Sequence, residues 1–482
     1  MVPEPFVNNI VYIVALAQTA VAPLAFVYYI YYIATERPLF ITGYAATDAL
    51  LHYWLGCELI FYVFFQITRS RMQQTLPAVY PGPKERRSLY YNCISNIDDV
   101  DEWLTGWFMK NNNPSQHPKL CEIRRENLAE WIAWAFFAQS METLFEDEAS
   151  MKEMYWMIDD FSQRFKVNFL PGYDDDIVAF RLTLDPVQAY HRPFAFYLFI
   201  FALTYVNGII MRAWGFKKHG AEIQSSLSFW WNDAANPERS ERICYWFRDG
   251  DRSKKPIVFV HGIGPGLLLY LRLVYQLVAL GAPVFCVELP YVAMRCVEDV
   301  PTMQETVRDV ERMLQHHGCN DAVFVAHSLG TAITSWMIKH IPKVVSGIVM
   351  LDPITFLLHY KDVCFNFVYR LPATASQSIV KYFASSELYI SYYIGRHFHW
   401  FQMALYVTAR HGNNQHTTAM PSKTRVFLSE LDNIVHSPRV HKYLTKNGID
   451  SVLMHGMDHG WFLLRSAWLE QIIGTVAEYI SN

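Results

Sequence analysis

Residues Val325-Ala326-His327-Ser328-Leu329-Gly330 constrain the fold more than any other part of this 482-residue chain. An apolar run, Ala322 to Ala326, precedes Ser328, and a helix-like run, Thr331 to Ile341, follows it. A strand that turns this sharply into a helix lifts one hydroxyl above the end of a sheet. The turn is tight, so the residues two before and two after the serine must be small. Gly330 fits, and Ala326 adds only one methyl where glycine is more usual. The pattern predicts Ser328 as a nucleophile at a strand end.

Upstream, Lys255 to Val260 reads as a buried parallel strand that ends in His261-Gly262-Ile263-Gly264-Pro265-Gly266. Glycines there let backbone N–H groups face a pocket. Downstream, Thr424 to Leu428 reads as a strand that runs out into Ser429-Glu430-Leu431-Asp432-Asn433-Ile434-Val435. Ile449 to Met454 is a further strand, followed by His455-Gly456-Met457-Asp458-His459-Gly460-Trp461. Serine, then acid, then histidine is the chain order of one hydrolase architecture. On these residues the chain from roughly Leu227 to its C-terminus resembles the α/β-hydrolase superfamily, of the serine lipase and esterase kind.

The resemblance implies an α/β fold, a mostly parallel sheet with helices on both faces. It implies catalytic Ser328, Asp432 and His459, and an oxyanion hole made by the N–H groups of Ile263 and Leu329, with Gly264 as the alternative to Ile263. Asp352, in Met350-Leu351-Asp352-Pro353 at the end of the strand after the elbow helix, is the alternative acid. Glu430 also competes with Asp432, and His455 and His436 compete with His459. A phosphate loop at Gly262, Gly264 and Gly266 is the rival reading, disfavoured by the missing Walker tail and by spacing other than GxGxxG.

The chemistry implied is acyl transfer. A neutral imidazole takes the proton of a weakly nucleophilic hydroxyl, and a carboxylate holds that imidazole in the right tautomer. No metal or cofactor is needed. His316-His317-Gly318-Cys319 lacks the paired spacing of a metal site and reads as a helix end.

Composition bears on the setting. Aromatic residues at 16% and charged residues at 18% point to lipid contact or large buried surfaces, and a formal net charge of -4 gives no case for nucleic acid. Eight scattered cysteines, several within apolar strands such as Cys286, read as buried thiols of a reducing compartment. Phe6 to Thr35 contains no charged residue, and about 20 residues of helix cross a bilayer. That stretch is therefore expected to span a membrane. Ala49 to Thr68, interrupted by His52 and Glu58, is expected as a second span or an interfacial helix. Pro193 to Met211 contains Asn207 and Gly208 and is read as a helix packed on the domain or dipping into the interface. Arg69, Arg71, Lys84, Arg86 and Arg87 follow the second stretch, so that side is expected in the cytosol. Arg212, Lys217 and Lys218 follow the third, and both clusters can be cytosolic only if the third stretch does not cross alone. The expectation is therefore an N-terminal hairpin with the remainder on the cytosolic face.

The expected organisation is a membrane anchor over 1–75, a helical region over 85–220, and an α/β-hydrolase domain over 227–482. Leu128, Trp131, Ile132, Ala135 and Phe136 recur at helical spacing in the middle region and are expected as core. An insertion over about 354–420 carries Tyr389, Tyr392, Tyr393, Phe398 and Trp400, where lipases of the family carry a lid or cap. The expectation is a membrane-anchored serine hydrolase acting on a lipid ester, an acylglycerol or lysophospholipid. The alternatives are acyl transfer to another alcohol by the same residues, and a catalytically silent membrane scaffold.

Overall fold

The computed structural model describes residues 4–39, 41–220, 242–407 and 418–481. The N-terminal half supplies α1 (Glu4–Thr35), α2 (Ala45–Arg71), α3 (Arg125–Phe137), α4 (Glu148–Phe165) and α5 (Phe194–Ala213). A small antiparallel ribbon pairs β1 (Phe108–Lys110) with β2 (Ile177–Ala179). The remaining strands form one sheet: β3 (Lys217–Gly220), β4 (Cys244–Arg248), β5 (Ile257–Val260), β6 (Val284–Glu288), β7 (Ala322–His327), β8 (Val345–Leu351), β9 (Thr424–Ser429) and β10 (Asp450–Met454). Its order is β10-β9-β8-β7-β5-β6-β4-β3. Six strands run parallel, and β4 and β3 add an antiparallel edge. The sheet begins with Lys217–Gly220, ahead of the start expected at Leu227, a position outside the described residues.

The central strands are apolar on both faces because both faces are covered. Side chains alternate along a strand, so Ile257 and Phe259 join one core and Val258 and Val260 the other. On the first side lie α6 (Leu271–Ala279) and α10 (Ser466–Ile480). On the second lie α7 (Met303–His316), α8 (Gly330–His340) and α9 (Ser437–Lys446). The second core continues without a break into the insertion and into α3 and α4. The helical spacing read around Trp131 is α3, whose Leu128, Trp131, Ile132, Ala135 and Phe136 are all buried there.

Among the described residues, three helices are long and apolar enough to cross a membrane: α1, α2 and α5. The first two pack as a hairpin around Ala25, Tyr28 and Leu55. Inside it, Tyr28 Oη lies 3.0 Å from His52 Nδ1, and Tyr29 Oη donates to the His52 carbonyl at 2.8 Å. Glu58, the other polar interruption, is fully buried and accepts hydrogen bonds from the backbone N–H groups of Phe194 at 2.6 Å and Ala195 at 3.0 Å. A carboxylate at a helix N-terminus meets unpaired N–H groups and the positive end of the helix dipole. Glu58 of α2 thus caps α5. The second half of α2 sinks Phe61 and Phe65 into the main core, followed by Met72 just past its end, while α5 buries Ile200 and Met211 and turns Phe199, Phe201, Tyr205 and Ile209 outward.

Candidate active site

Ser328 follows β7 with φ 52°, and its backbone N–H donates to Leu351 O of β8 at 3.0 Å. The left-handed backbone aims the side chain off the sheet. The helix that follows presses on the neighbouring strand: a Cβ at Gly330 would stand 2.5 Å from Val260 O and 2.7 Å from His261 O. The His-Gly loop presses back, since a Cβ at Gly262 would stand 2.9 Å from Ser328 Cβ. Gly330 is required by the close approach of strand carbonyls, and Gly262 by that of the Ser328 and His327 side chains.

The structure brings Ser328, His459 and Asp432 together from three strand ends. Ser328 Oγ lies 2.8 Å from His459 Nε2, and His459 Nδ1 lies 2.7 Å from Asp432 Oδ2. The other Asp432 oxygen accepts the N–H groups of Ile434 at 2.7 Å and Val435 at 2.9 Å. Burial disfavours the charged form of His459, but the carboxylates of Asp432, Asp352 and Asp458 outweigh it and hold the ring above the usual imidazole range. A hydroxyl, imidazole and carboxylate at such distances have the geometry in which a ring can take the hydroxyl proton.

The competing residues lie elsewhere. His455 pairs with Glu430 at 3.2 Å on the surface, and His436 accepts the N–H of Arg439 at the start of α9. Asp352 is fully buried beside the relay without bonding the ring. It accepts from Ser429 N at 2.6 Å, Ser429 Oγ at 2.9 Å and Gly460 N at 2.9 Å, so it ties the turn carrying Asp432 to the turn carrying His459. Burial, with the neighbouring Asp432 charge, pushes its carboxyl up.

Of the two N–H groups proposed on the His-Gly loop, that of Gly264 is engaged by Val292 O at 3.2 Å. Those of Ile263 and Leu329 have no acceptor among the described residues. The loop is braced by groups that local pattern did not single out. Tyr270 Oη accepts the N–H of Gly262 at 3.1 Å and lies 2.7 Å from His327 Nδ1. The phenolic proton therefore goes to His327, and burial with the nearby His459 and His261 rings keeps His327 uncharged. Leu289 N donates to His261 Nε2 at 2.9 Å, leaving His261 Nδ1 to donate to Gly262 O at 2.7 Å. His327 sits next to the serine in sequence, but Tyr270 lies on a separate turn, Gly266–Tyr270, that no motif marks.

Residues 255–451 match the family model described as alpha/beta hydrolase fold. The domain has the α/β-hydrolase fold. No curated protein matches the chain. Among solved structures, a carboxylesterase of the thaumarchaeon Nitrososphaera gargenis is similar at 16% identity, over 51% of this chain and 98% of its own, with a TM-score of 0.34. Carboxylesterase CesB of Bacillus subtilis is similar at 12% identity, over 58% of this chain and 97% of its own, with a TM-score of 0.36. A bacterial membrane phospholipase A is similar at 13% identity, over 56% of this chain and 91% of its own, with a TM-score of 0.35.

In this hydrolase-fold domain a cavity of about 380 Å³ opens onto Ser328 and His459. The insertion roofs it with Val363, Phe367, Val380, Phe383 and Phe398, so the lining is almost wholly apolar. Of the aromatics noted in the insertion, Phe398 faces the cavity, while Tyr389 and Tyr393 are packed inside the cap. Around the mouth, Leu269, Ile379, Trp461 and Leu464 are exposed. Among the described residues, two sets of side chains stand close enough to share a cation: Asp352, Asp432 and His459, and His219, His316 and His317. The first set is engaged in the bonds just described. The second joins the α7 end to β3 at the far edge of the sheet, a proximity that spacing along the chain does not reveal.

Proposed function

We propose that the protein is a membrane-anchored serine hydrolase that cleaves a carboxylic ester of a lipid, of the acylglycerol or lysophospholipid class. The observation that carries this reading is the relay Ser328 Oγ, His459 Nε2 and Nδ1, Asp432 Oδ2, at 2.8 and 2.7 Å, at the floor of an apolar cavity. Ser328 Oγ attacks the ester carbonyl while His459 takes its proton. The carbonyl oxygen, now negative, is held by the N–H groups of Ile263 and Leu329. One such donor is worth about 3 kcal/mol of barrier. The tetrahedral intermediate collapses, His459 returns the proton to the departing alcohol, and an acyl-Ser328 ester is left. Water, deprotonated by the same ring, releases the carboxylic acid and restores the serine. Asp432 orients the ring and stabilises its charged form.

The apolar lining and rim, beside three membrane-length helices, support an acyl-lipid substrate. Two measurements test the reading together: labelling of Ser328 by a fluorophosphonate probe, and lipid profiles of membranes incubated with the wild type and with Ser328→Ala. No labelling, with identical profiles, would leave the silent scaffold. Product analysis with competing alcohols separates hydrolysis from transfer.

The carboxylates around His459 dictate a pH dependence. The base must be neutral, so activity is lost as pH falls through the pKa of His459. That pKa is raised, so the acid limb of kcat/KM is expected above the ordinary histidine value of about 6.5. Asp352 contributes to the raised value, so Asp352→Asn should move the limb to lower pH. A limb that stays in place in that variant would mean that Asp352 carries no charge felt by the ring.

For the anchor, we propose the α1–α2 hairpin with the hydrolase domain on the cytosolic face, on the strength of the basic cluster after α2. Carbonate and high-salt washing should leave the protein in membranes, because a spanning helix holds far more firmly than a surface patch. Protease added to sealed cytosol-out vesicles should digest the chain beyond Glu85. Protection that is lost only with detergent would put the domain on the lumenal side.

A further inference from the structure

A second cavity, of about 360 Å³, lies between α5 and the segment that follows β6. Phe61 of α2 and Phe194, Leu198 and Phe201 of α5 supply an apolar wall. At the sheet end the lining is ionic: Glu288, Arg295 and Lys218. Arg295 grips Glu288 with both terminal nitrogens, at 3.0 and 3.2 Å, and Trp246 Nε1 donates to the same carboxylate at 3.0 Å. Lys218 Nζ stands 4.0 Å away. Burial alone would raise the pKa of Glu288, but Arg295, Lys218 and these hydrogen bonds outweigh it and keep the group ionised. Two cations against one carboxylate leave an excess of one positive charge. Arg295 Nε is buried with no hydrogen-bond partner among the described residues.

The segment between the two cavities is strained and shared. Met294 lines both. Met294 and Cys296 have φ of 57° and 54°, conformations that cost energy for residues other than glycine and gather where a segment has a task beyond packing. Arg295 Nη2 stands 3.0 Å from where a Cβ on Gly266 would be, against the His-Gly loop.

We infer that this cavity binds a single-chain anionic amphiphile, specifically a long-chain fatty-acid anion. Its carboxylate meets Lys218 and Arg295, and its chain lies along α5. One excess positive charge matches a monoanion. The volume is at the low end for ligand pockets, which suits one acyl chain and not a two-chain lipid. The assignment is independent of the hydrolase reading, because binding is measured in a chain without the Ser328 hydroxyl.

The experiment uses full-length Ser328→Ala protein in nanodiscs of zwitterionic phosphatidylcholine. It is irradiated with a diazirine-bearing palmitate, and the adducts are mapped by peptide mass spectrometry. Adducts are expected on α5 and on the peptide containing Met294 to Val297, competed by palmitate and not by methyl palmitate. Lys218→Glu, at a half-exposed side chain, should reduce this labelling at least about tenfold, and Lys218→Arg should retain it. Thr204→Trp, which fills the cavity from α5, should block it. A thermal-unfolding profile of each variant shows that the chain is folded; if Thr204→Trp is not, the two Lys218 variants decide. Adducts confined to the Ser328 cavity, equal competition by the methyl ester, or full labelling of folded Lys218→Glu would each overturn the assignment.

Discussion

Ser328→Ala is expected to lower ester turnover by about 10⁶-fold, the loss seen when a serine nucleophile is removed elsewhere, and to abolish fluorophosphonate labelling. The fold should be untouched. Ser328 is held in place by its backbone, through φ 52° and the N–H to Leu351 O, and alanine keeps both. The side-chain oxygen makes its contact with His459, whose ring stays anchored to Asp432. What survives in the variant is the pair of N–H groups on Ile263 and Leu329 and the apolar cavity, so some rate above that of water should persist. An unfolding profile that matches the wild type, with turnover also unchanged, would end the serine-hydrolase reading.

Asp432→Asn is expected to cost about 10⁴ in turnover, as for acids of this kind elsewhere, and the hydrogen bonds say why. Asp432 Oδ1 accepts two backbone N–H groups, from Ile434 and Val435, and Oδ2 faces His459 Nδ1. An asparagine keeps its oxygen on those two donors and turns its NH₂ toward the ring. The ring then carries its proton on Nε2, facing Ser328 Oγ, and can no longer accept one. Asp352→Asn has a different effect. Asp352 accepts three donors on two oxygens, and an amide accepts on one oxygen only. Losing a hydrogen bond to a charged group costs about 1.5–3 kcal/mol. The expected result is a lower unfolding temperature and a turnover loss much smaller than that of Asp432→Asn, since these bonds position the two turns and do not touch the reacting atoms. Kinetics that rank the two variants the other way would move the acid to Asp352.

What could be read from sequence alone was what is local. The Ser328 turn is written in six consecutive residues, because a sharp strand-to-helix turn limits the size of its own neighbours. The strands before Ser429 and His455 announce themselves as apolar runs, so the two turns carrying Asp432 and His459 could be located, though not their 2.7 Å approach. Asp352 against Asp432 stayed open, since both follow strands and only the tertiary arrangement decides which oxygen meets the ring. Tyr270 was invisible because its partners, Gly262 and His327, come from two other segments. β3 was hidden for a related reason. Lys217 and Lys218 look like a membrane-flanking charge pair, and they are strand residues because β4 offers an open edge beside them. The second cavity had no signature at all: Phe61, Leu198, Lys218 and Arg295 are scattered along the chain.

The placement of Glu58 also sets an order of events during synthesis. Its two hydrogen-bond donors lie 136 and 137 residues later in the chain. At about 5–20 residues per second, the ribosome needs on the order of ten seconds to reach them. For that interval the Glu58 carboxylate, flanked by the apolar residues Leu55, Leu59 and Phe61 of α2, lacks these two donors. The first two helices therefore leave the ribosome as an unfinished unit, and α2 settles only when the start of α5 emerges to meet it. A product ending before residue 194 would lack both N–H donors of the Glu58 carboxylate.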